Sequence, residues 1–150
     1  MSRLIDKLGG TDIDVKQGEI KYLNEYVTEM NKYDPSDTSK GVTKAGMQHL
    51  NGKQTVGYMR IRYYGNADFQ RTQRQRTVLV QIYDKIKKQG VLKLPGTVSS
   101  VLSYVDTNMP NTEIINLATS VLGLNADMQQ FRLPVDGKFK YETIRGMSSI

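Results

Sequence analysis

Five arginines and a single acid occupy residues 58–76, YMRIRYYGNADFQRTQRQR. Arg60, Arg62, Arg71, Arg74 and Arg76 stand among apolar and amide side chains with Asp68 as the lone carboxylate. Between Lys53 and Lys85 every cation is an arginine, although the chain holds thirteen lysines and eight arginines. Guanidinium is planar, permanently charged and able to grip two oxygens of one phosphate in a fork, which an ammonium cannot do. The chemistry such a set supports is binding of a phosphate or diphosphate and stabilisation of charge on a departing phosphate. The competing reading is surface salt bridges, the usual fate of a charge run, and the scarcity of nearby acids weighs against it.

Two elements must position these side chains. TVGYMRIRYY is β-branched and aromatic without proline and predicts a strand, whose alternation puts Val56, Tyr58, Arg60, Arg62 and Tyr64 on one face. From Asp68 to about Gln89 the period is helical. At about 100° per residue, Asp68, Arg71 and Gln75 share the stripe of Val78, Leu79, Ile82 and Ile86, while Arg74 and Arg76 flank it. A cation aimed along a core stripe needs an anion, and Asp68 can satisfy only one. Asp68 also suits a helix N-cap. Only YYGNA joins strand to helix, so their arginines are expected to converge at the helix N-terminus, where free N–H groups favour a phosphate.

Around this pair, SRLIDKLGG reads as a short helix capped by Ser2 and ended by Gly9 and Gly10, TDIDV as a strand, and KQGEIKYLNEYVTEMNKY as an amphipathic helix packing on a sheet. DPSDTSKG is a connector, TKAGMQHL a helical turn, and Asn51-Gly52 a tight turn. Helices follow around Val98–Val105 and Thr112–Leu122, then a strand in MQQFRLP and a turn at Asp136-Gly137. Strands separated by helices indicate an α/β fold, a three-layer α/β/α arrangement on a mixed central sheet.

The bulk composition allows one domain over residues 1–150. No apolar run approaches the ~20 residues of a membrane span, and MSRLIDKLGG lacks the regions of a signal peptide, so the chain as given is expected to be soluble. The net charge of +6 favours anionic partners. With no cysteine, disulfides and thiolate metal sites are excluded.

GMQHLNGKQTVGYMRIRYYGNADFQRTQRQRTVL resembles the second signature block of the LytR-CpsA-Psr family: a leucine-asparagine-glycine turn, a tyrosine-x-arginine-x-arginine strand, an acid, then arginine and arginine-glutamine on the next helix. LIDKLGGTDIDV and LPVDGKFKYETIRGMS resemble the family more weakly. The resemblance implies an α/β/α domain outside the cytoplasmic membrane that binds a polyprenyl pyrophosphate and transfers the attached glycopolymer, teichoic acid or capsule, to peptidoglycan at the membrane lipid interface. Carried over by position, Arg60, Arg62, Arg71, Arg74 and Gln75 would hold the pyrophosphate. Arg60, Arg62 and Asp68 would serve the transfer, with Asp68 orienting arginines. Arg76 is left out of the set. The family's first block, which helps hold a divalent metal such as Mg2+, and its transmembrane anchor would be expected ahead of residue 1 and are missing from the sequence as given. The chain is therefore expected to be the back portion of a membrane-anchored, extracytoplasmic domain, its sheet incomplete on the N-terminal side and weak or inactive as a transferase alone.

Other signals carry less. The apolar helices with Val98, Val101, Leu102 and Val105 and with Ile114, Leu117, Ala118, Val121 and Leu122 read as core or as the wall of an isoprenoid tunnel. His49 and the Asp12/Asp14 pair show no catalytic or metal-ligand spacing. Two rivals to the transferase stand. One is a non-catalytic polyprenyl-phosphate binding module. The other is a nucleic-acid-binding transcriptional regulator, disfavoured because a DNA-reading helix exposes its cations away from the core whereas Arg71 is placed on the core stripe, so no nucleic-acid partner is expected.

Overall fold

A computed structural model describes the chain except residues 66, 91, 103–105, 124–129, 132, 134, 136, 141, 145, 146 and 150. Helix α1 (Ser2–Lys7) leads through Gly9 and Gly10, both at positive φ, into strand β1 (Thr11–Val15). Ser2 is the first helical residue and Met1 the cap position, so the expected Ser2 cap is not formed. A 3-10 turn (Gln17–Glu19) opens α2 (Ile20–Tyr33), and the connector then reaches β2 (Gly46–Leu50). Next come α3 (Gly52–Arg60), α4 (Ala67–Gln89), α5 (Leu94–Leu102) and α6 (Asn111–Gly123). A last pair of strands, β3 (Glu142–Ile144) and β4 (Met147–Ser149), closes the chain. The fold is mixed α/β as expected, its described strands forming two antiparallel pairs, β1 with β2 and β3 with β4.

Three sequence readings are corrected. TVGYMRIRYY is not a strand: residues 52–60 form α3. Asn51 and Gln54 make a reciprocal capping box, the Asn51 side chain accepting from Gln54 N at 3.0 Å and Gln54 Oε1 accepting from Asn51 N at 2.9 Å. That box starts a helix where a tight turn was expected. Buried Thr55 and Tyr58, three apart, then face the core, and β propensity yields to this packing. Gly57 lets α3 approach α2 closely, since a Cβ there would sit 3.0 Å from the Leu23 carbonyl. Conversely, part of TKAGMQHL is not helical. Gly46–Leu50 is β2, paired with β1 from Thr11 opposite Leu50 to Val15 opposite Gly46, with inner and outer residues alternating.

The core joins Ile5, Leu8, Ile13, Val15, Leu23, Val27, Val42, Leu50, Tyr58, Ile61, Val78 and Ile82. Helix α2 packs chiefly against α3, which also meets α1 and α4, while α4 lies beside β1. Gln81 fastens that last contact, accepting from Asp12 N at 2.9 Å and donating to Asp12 O at 2.5 Å. Helices α5 and α6 pack on each other, and α6 has no buried residue. The strand expected in MQQFRLP falls largely outside the described residues, as does Asp136 of the expected turn.

Candidate anion-binding site

The link between α3 and α4 is organised by Arg74. Its side chain is 4% exposed, and Nε donates to Glu19 Oε1 at 2.8 Å, with the Glu19 side chain equally buried. Nη1 donates to Ile61 O at 3.1 Å, and Nη2 to Tyr64 O at 3.2 Å and Gln70 Oε1 at 3.1 Å. The rings of Tyr58 and Tyr64 lie 5.9 and 6.0 Å from the guanidinium carbon. Glu19 is itself fixed, because its Oε2 accepts from Lys16 N at 3.0 Å. One guanidinium thus ties the turn before α2, the link and the first turns of α4 into a unit.

This placement revises the helical-wheel reading. The inward line of α4 is Arg74, Val78 and Ile82, each four apart, whereas Leu79 is 46% exposed and Arg71 is half-buried. The anion demanded by a buried arginine is Glu19, fifty-five residues away in the chain, and helical periodicity carries no sign of it.

The remaining expected site residues do not share one strand face. Arg60 ends α3, where it pairs with Glu29 at 3.2 Å and lies 4.5 Å over the Tyr26 ring, both on α2. Arg62 is exposed on the link, bracketed by the two carbonyls that Arg74 holds. Arg71 and Gln75 are half-buried one turn apart on one flank of α4. Asp68 lies in the first turn of α4, with its side chain outside the described residues. Arg76 donates to Gln73 Oε1 at 2.8 Å and to Phe131 O at 3.4 Å.

Beside the ion pair is a cavity of about 270 Å3 lined by Lys16, Glu19, Tyr58, Gln70, Gln73 and Arg74. Burial, reinforced by the charge of Glu19, pushes the Tyr58 phenol up to about 12, so it remains a hydrogen-bond donor at neutral pH. Sequence reasoning passed over two buried charged side chains, Glu19 and Lys53. Lys53 donates to Asn31 Oδ1 at 3.3 Å, to Asp34 O at 3.1 Å and to Asp37 O, closing the connector after α2 over the start of α3. For Glu19 the sequence carried no capping signal, because Lys16, three residues before it, lacks the side-chain acceptor that marks a capping box. No group of three or more histidine, aspartate or glutamate side chains converges among the described residues. Nor is any helix among them long and apolar enough to cross a membrane.

Regulatory protein MsrR of Staphylococcus aureus strain COL is 32% identical over 112 residues, covering 72% of this chain and 34% of that protein. The polyisoprenyl-teichoic acid–peptidoglycan teichoic acid transferase TagV of Bacillus subtilis strain 168 is 28% identical over 112 residues, covering 73% of this chain and 26% of that one. The chain thus spans about a third or less of these curated relatives. Among solved structures, the Lin1025 protein of Listeria innocua aligns with 99% of this chain and 56% of its own, at 28% identity and a TM-score of 0.48. Residues 1–148 match the model of the LytR_cpsA_psr family, and with that match spanning nearly its whole length the chain belongs to the LytR-CpsA-Psr family.

Proposed function

We propose that this chain supplies the pyrophosphate-gripping part of a cell-wall glycopolymer transferase that moves a polymer from a polyprenyl pyrophosphate carrier to peptidoglycan. The observation that carries the proposal is the division of labour at the α3–α4 link. Arg74 is neutralised internally by Glu19, while Arg62 is presented outward on the link it holds and Arg71 and Gln75 stand on one flank of the following helix. Family membership and the name of the TagV relative support the substrate class.

In this reading Arg62, Arg71 and Gln75 bind the diphosphate oxygens, and Arg60 joins them by exchanging Glu29 for phosphate. Asp68 orients arginines. An acceptor hydroxyl attacks the phosphorus bearing the polymer, its proton passes to solvent, and the P–O bond to polyprenyl phosphate breaks. The leaving phosphate takes the bonding electrons, and guanidinium donors already in place stabilise that charge. The metal expected for the whole family domain enters no step here.

Binding without turnover is a second reading, in which the same side chains hold the diphosphate and no transfer follows. Calorimetric titration with farnesyl pyrophosphate tests both readings. Binding should weaken about tenfold or more, but stay measurable, in Arg62→Ala and in Arg71→Ala. Polymer transfer by the purified chain separates the first reading from the second. Salt-sensitive duplex DNA binding that survives loss of Arg60 and Arg62, with no uptake of farnesyl pyrophosphate, would replace both with a nucleic-acid binder.

A further inference from the structure

We infer that Glu19 is a positioning residue for the anion site: acting through Arg74, it fixes the backbone that presents Arg62. The inference rests on the proposed pyrophosphate role of Arg62, but its structural half stands on contacts alone. A buried guanidinium requires a buried counter-charge, and Glu19 supplies it through Oε1 while Oε2 is held by Lys16 N. With its charge compensated, Arg74 spends Nη1 on Ile61 O and Nη2 on Tyr64 O. Those two carbonyls flank Arg62 and Tyr63, both exposed, so the backbone carrying Arg62 is clamped on either side.

A second contact from the same turn acts on the same link. A Cβ at Gly18 would overlap the Tyr64 ring, so that ring lies directly on the Gly18 backbone, and Tyr64 also meets the Tyr22 ring at 6.5 Å. Gly18 and Glu19, adjacent in sequence, therefore seat the link in two ways, by steric fit and by charge. Gly65, at positive φ beneath the Gln70 carboxamide, completes the bend, and Gln70 is itself an Arg74 acceptor. An arginine that grips a diphosphate must be held within a fraction of an ångström, and residues outside the ligand's reach commonly do the holding.

The test combines local hydrogen exchange with a double-mutant cycle on the full 150-residue chain. Glu19→Gln keeps the shape and removes the charge. We expect faster amide exchange at Arg62–Gly65, with core amides such as Val15 and Leu23 unchanged, and roughly tenfold weaker binding of farnesyl pyrophosphate. In an Arg62→Ala background the same change should have no further effect on binding, because the residue it positions is gone. Gly18→Ala leaves both charges in place and should reproduce the local loosening, which covers the case in which Glu19→Gln does not fold. Uniformly faster exchange across the core, or additive losses in the cycle, would reduce Glu19 to a general stabiliser and overturn the inference. Local loosening in a chain whose wild type takes up no pyrophosphate would leave the clamp standing and sink the functional reading instead.

Discussion

The half of the molecule up to α4 and the helix pair α5–α6 carry comparable apolar periodicity, yet among the described residues only the first half buries it. Every buried side chain among the described residues lies between Ile5 and Ile82, and α6 leaves Leu117 57% and Val121 45% exposed. What separates the halves is partners. Helix α3 meets α1, α2 and α4, and the polar groups caught inside are matched: Glu19 with Arg74, Thr11 Oγ1 with Thr55 Oγ1 at 2.7 Å, and Lys53 with three oxygens. Helices α5 and α6 have chiefly each other. An apolar stripe therefore states what a helix can bury, while the surrounding elements decide whether it does.

Truncation should expose this difference most sharply. Arg74→Ala strands a buried carboxylate and is expected to lower the unfolding free energy by about 3–5 kcal/mol, measured by denaturant titration. Leu117→Ala, in α6, should change it by no more than about 0.5 kcal/mol. Equal losses at the two positions would erase the contrast.

Glycines offer a finer version of the same comparison. Gly52 donates its N–H to Asp6 Oδ1 at 2.6 Å, and a Cβ there would overlap both that carboxylate and the Ser2 carbonyl. Gly52→Ala must push α1 away from α3, at a cost of about 1–3 kcal/mol. At Gly123, the last residue of α6, no atom of the described residues outside its own helix backbone lies within 4 Å of such a Cβ, so Gly123→Ala should be neutral or stabilising by up to about 1 kcal/mol. Thermal melts of the two variants suffice to check this.

What could be read from the sequence tracks how local the deciding interaction is. Helices α1, α2 and α4 and strand β1 were legible because each declares itself within one window by periodicity and glycine stops. Helix α3 was misread because its β-branched and aromatic residues look like a strand, while the Asn51–Gln54 capping box that announces a helix is only four residues long. For the site, the arginine-rich stretch was conspicuous, but which arginine turns inward was settled by Glu19, remote in sequence. Three residues at about 100° each fall about 60° short of a full turn, so a wheel rotated by that much places Arg71 where Arg74 belongs, and a wide apolar stripe does not fix its own centre that finely.

Alkaline titration reaches the same buried cluster by another route. The Tyr58 phenol is raised from 10.0 to about 12, first by burial and then by the charge of Glu19. In the unfolded chain it ionises near 10.0, so stability holds below that pH and declines as pH rises from there towards about 12. Absorbance of phenolate should show a late step at about 12, and Tyr58→Phe should remove that late step. Disappearance of the late step from another variant with Tyr58 intact would detach it from the core.

The smallest effect belongs to a charge pair in the well-packed half that lacks burial. His49 Nδ1 and Asp12 Oδ1 are 2.7 Å apart across β1 and β2, with both side chains more than half exposed. The hydrogen bond from His49, with the charges of His49 and Lys85, holds the Asp12 carboxyl below its ordinary value of 3.8. A depressed carboxylate contributes stability above its unfolded value and loses it as pH falls through the folded one, so any contribution here vanishes only in acid below about 3.8. His49→Ala should let Asp12 titrate closer to 3.8 by carboxyl NMR while leaving the neutral-pH melting temperature almost unmoved, because water screens an exposed pair. A loss at neutral pH as large as that of Arg74→Ala would mean that membership of the well-packed half, and not burial of the charges, sets what an ion pair contributes.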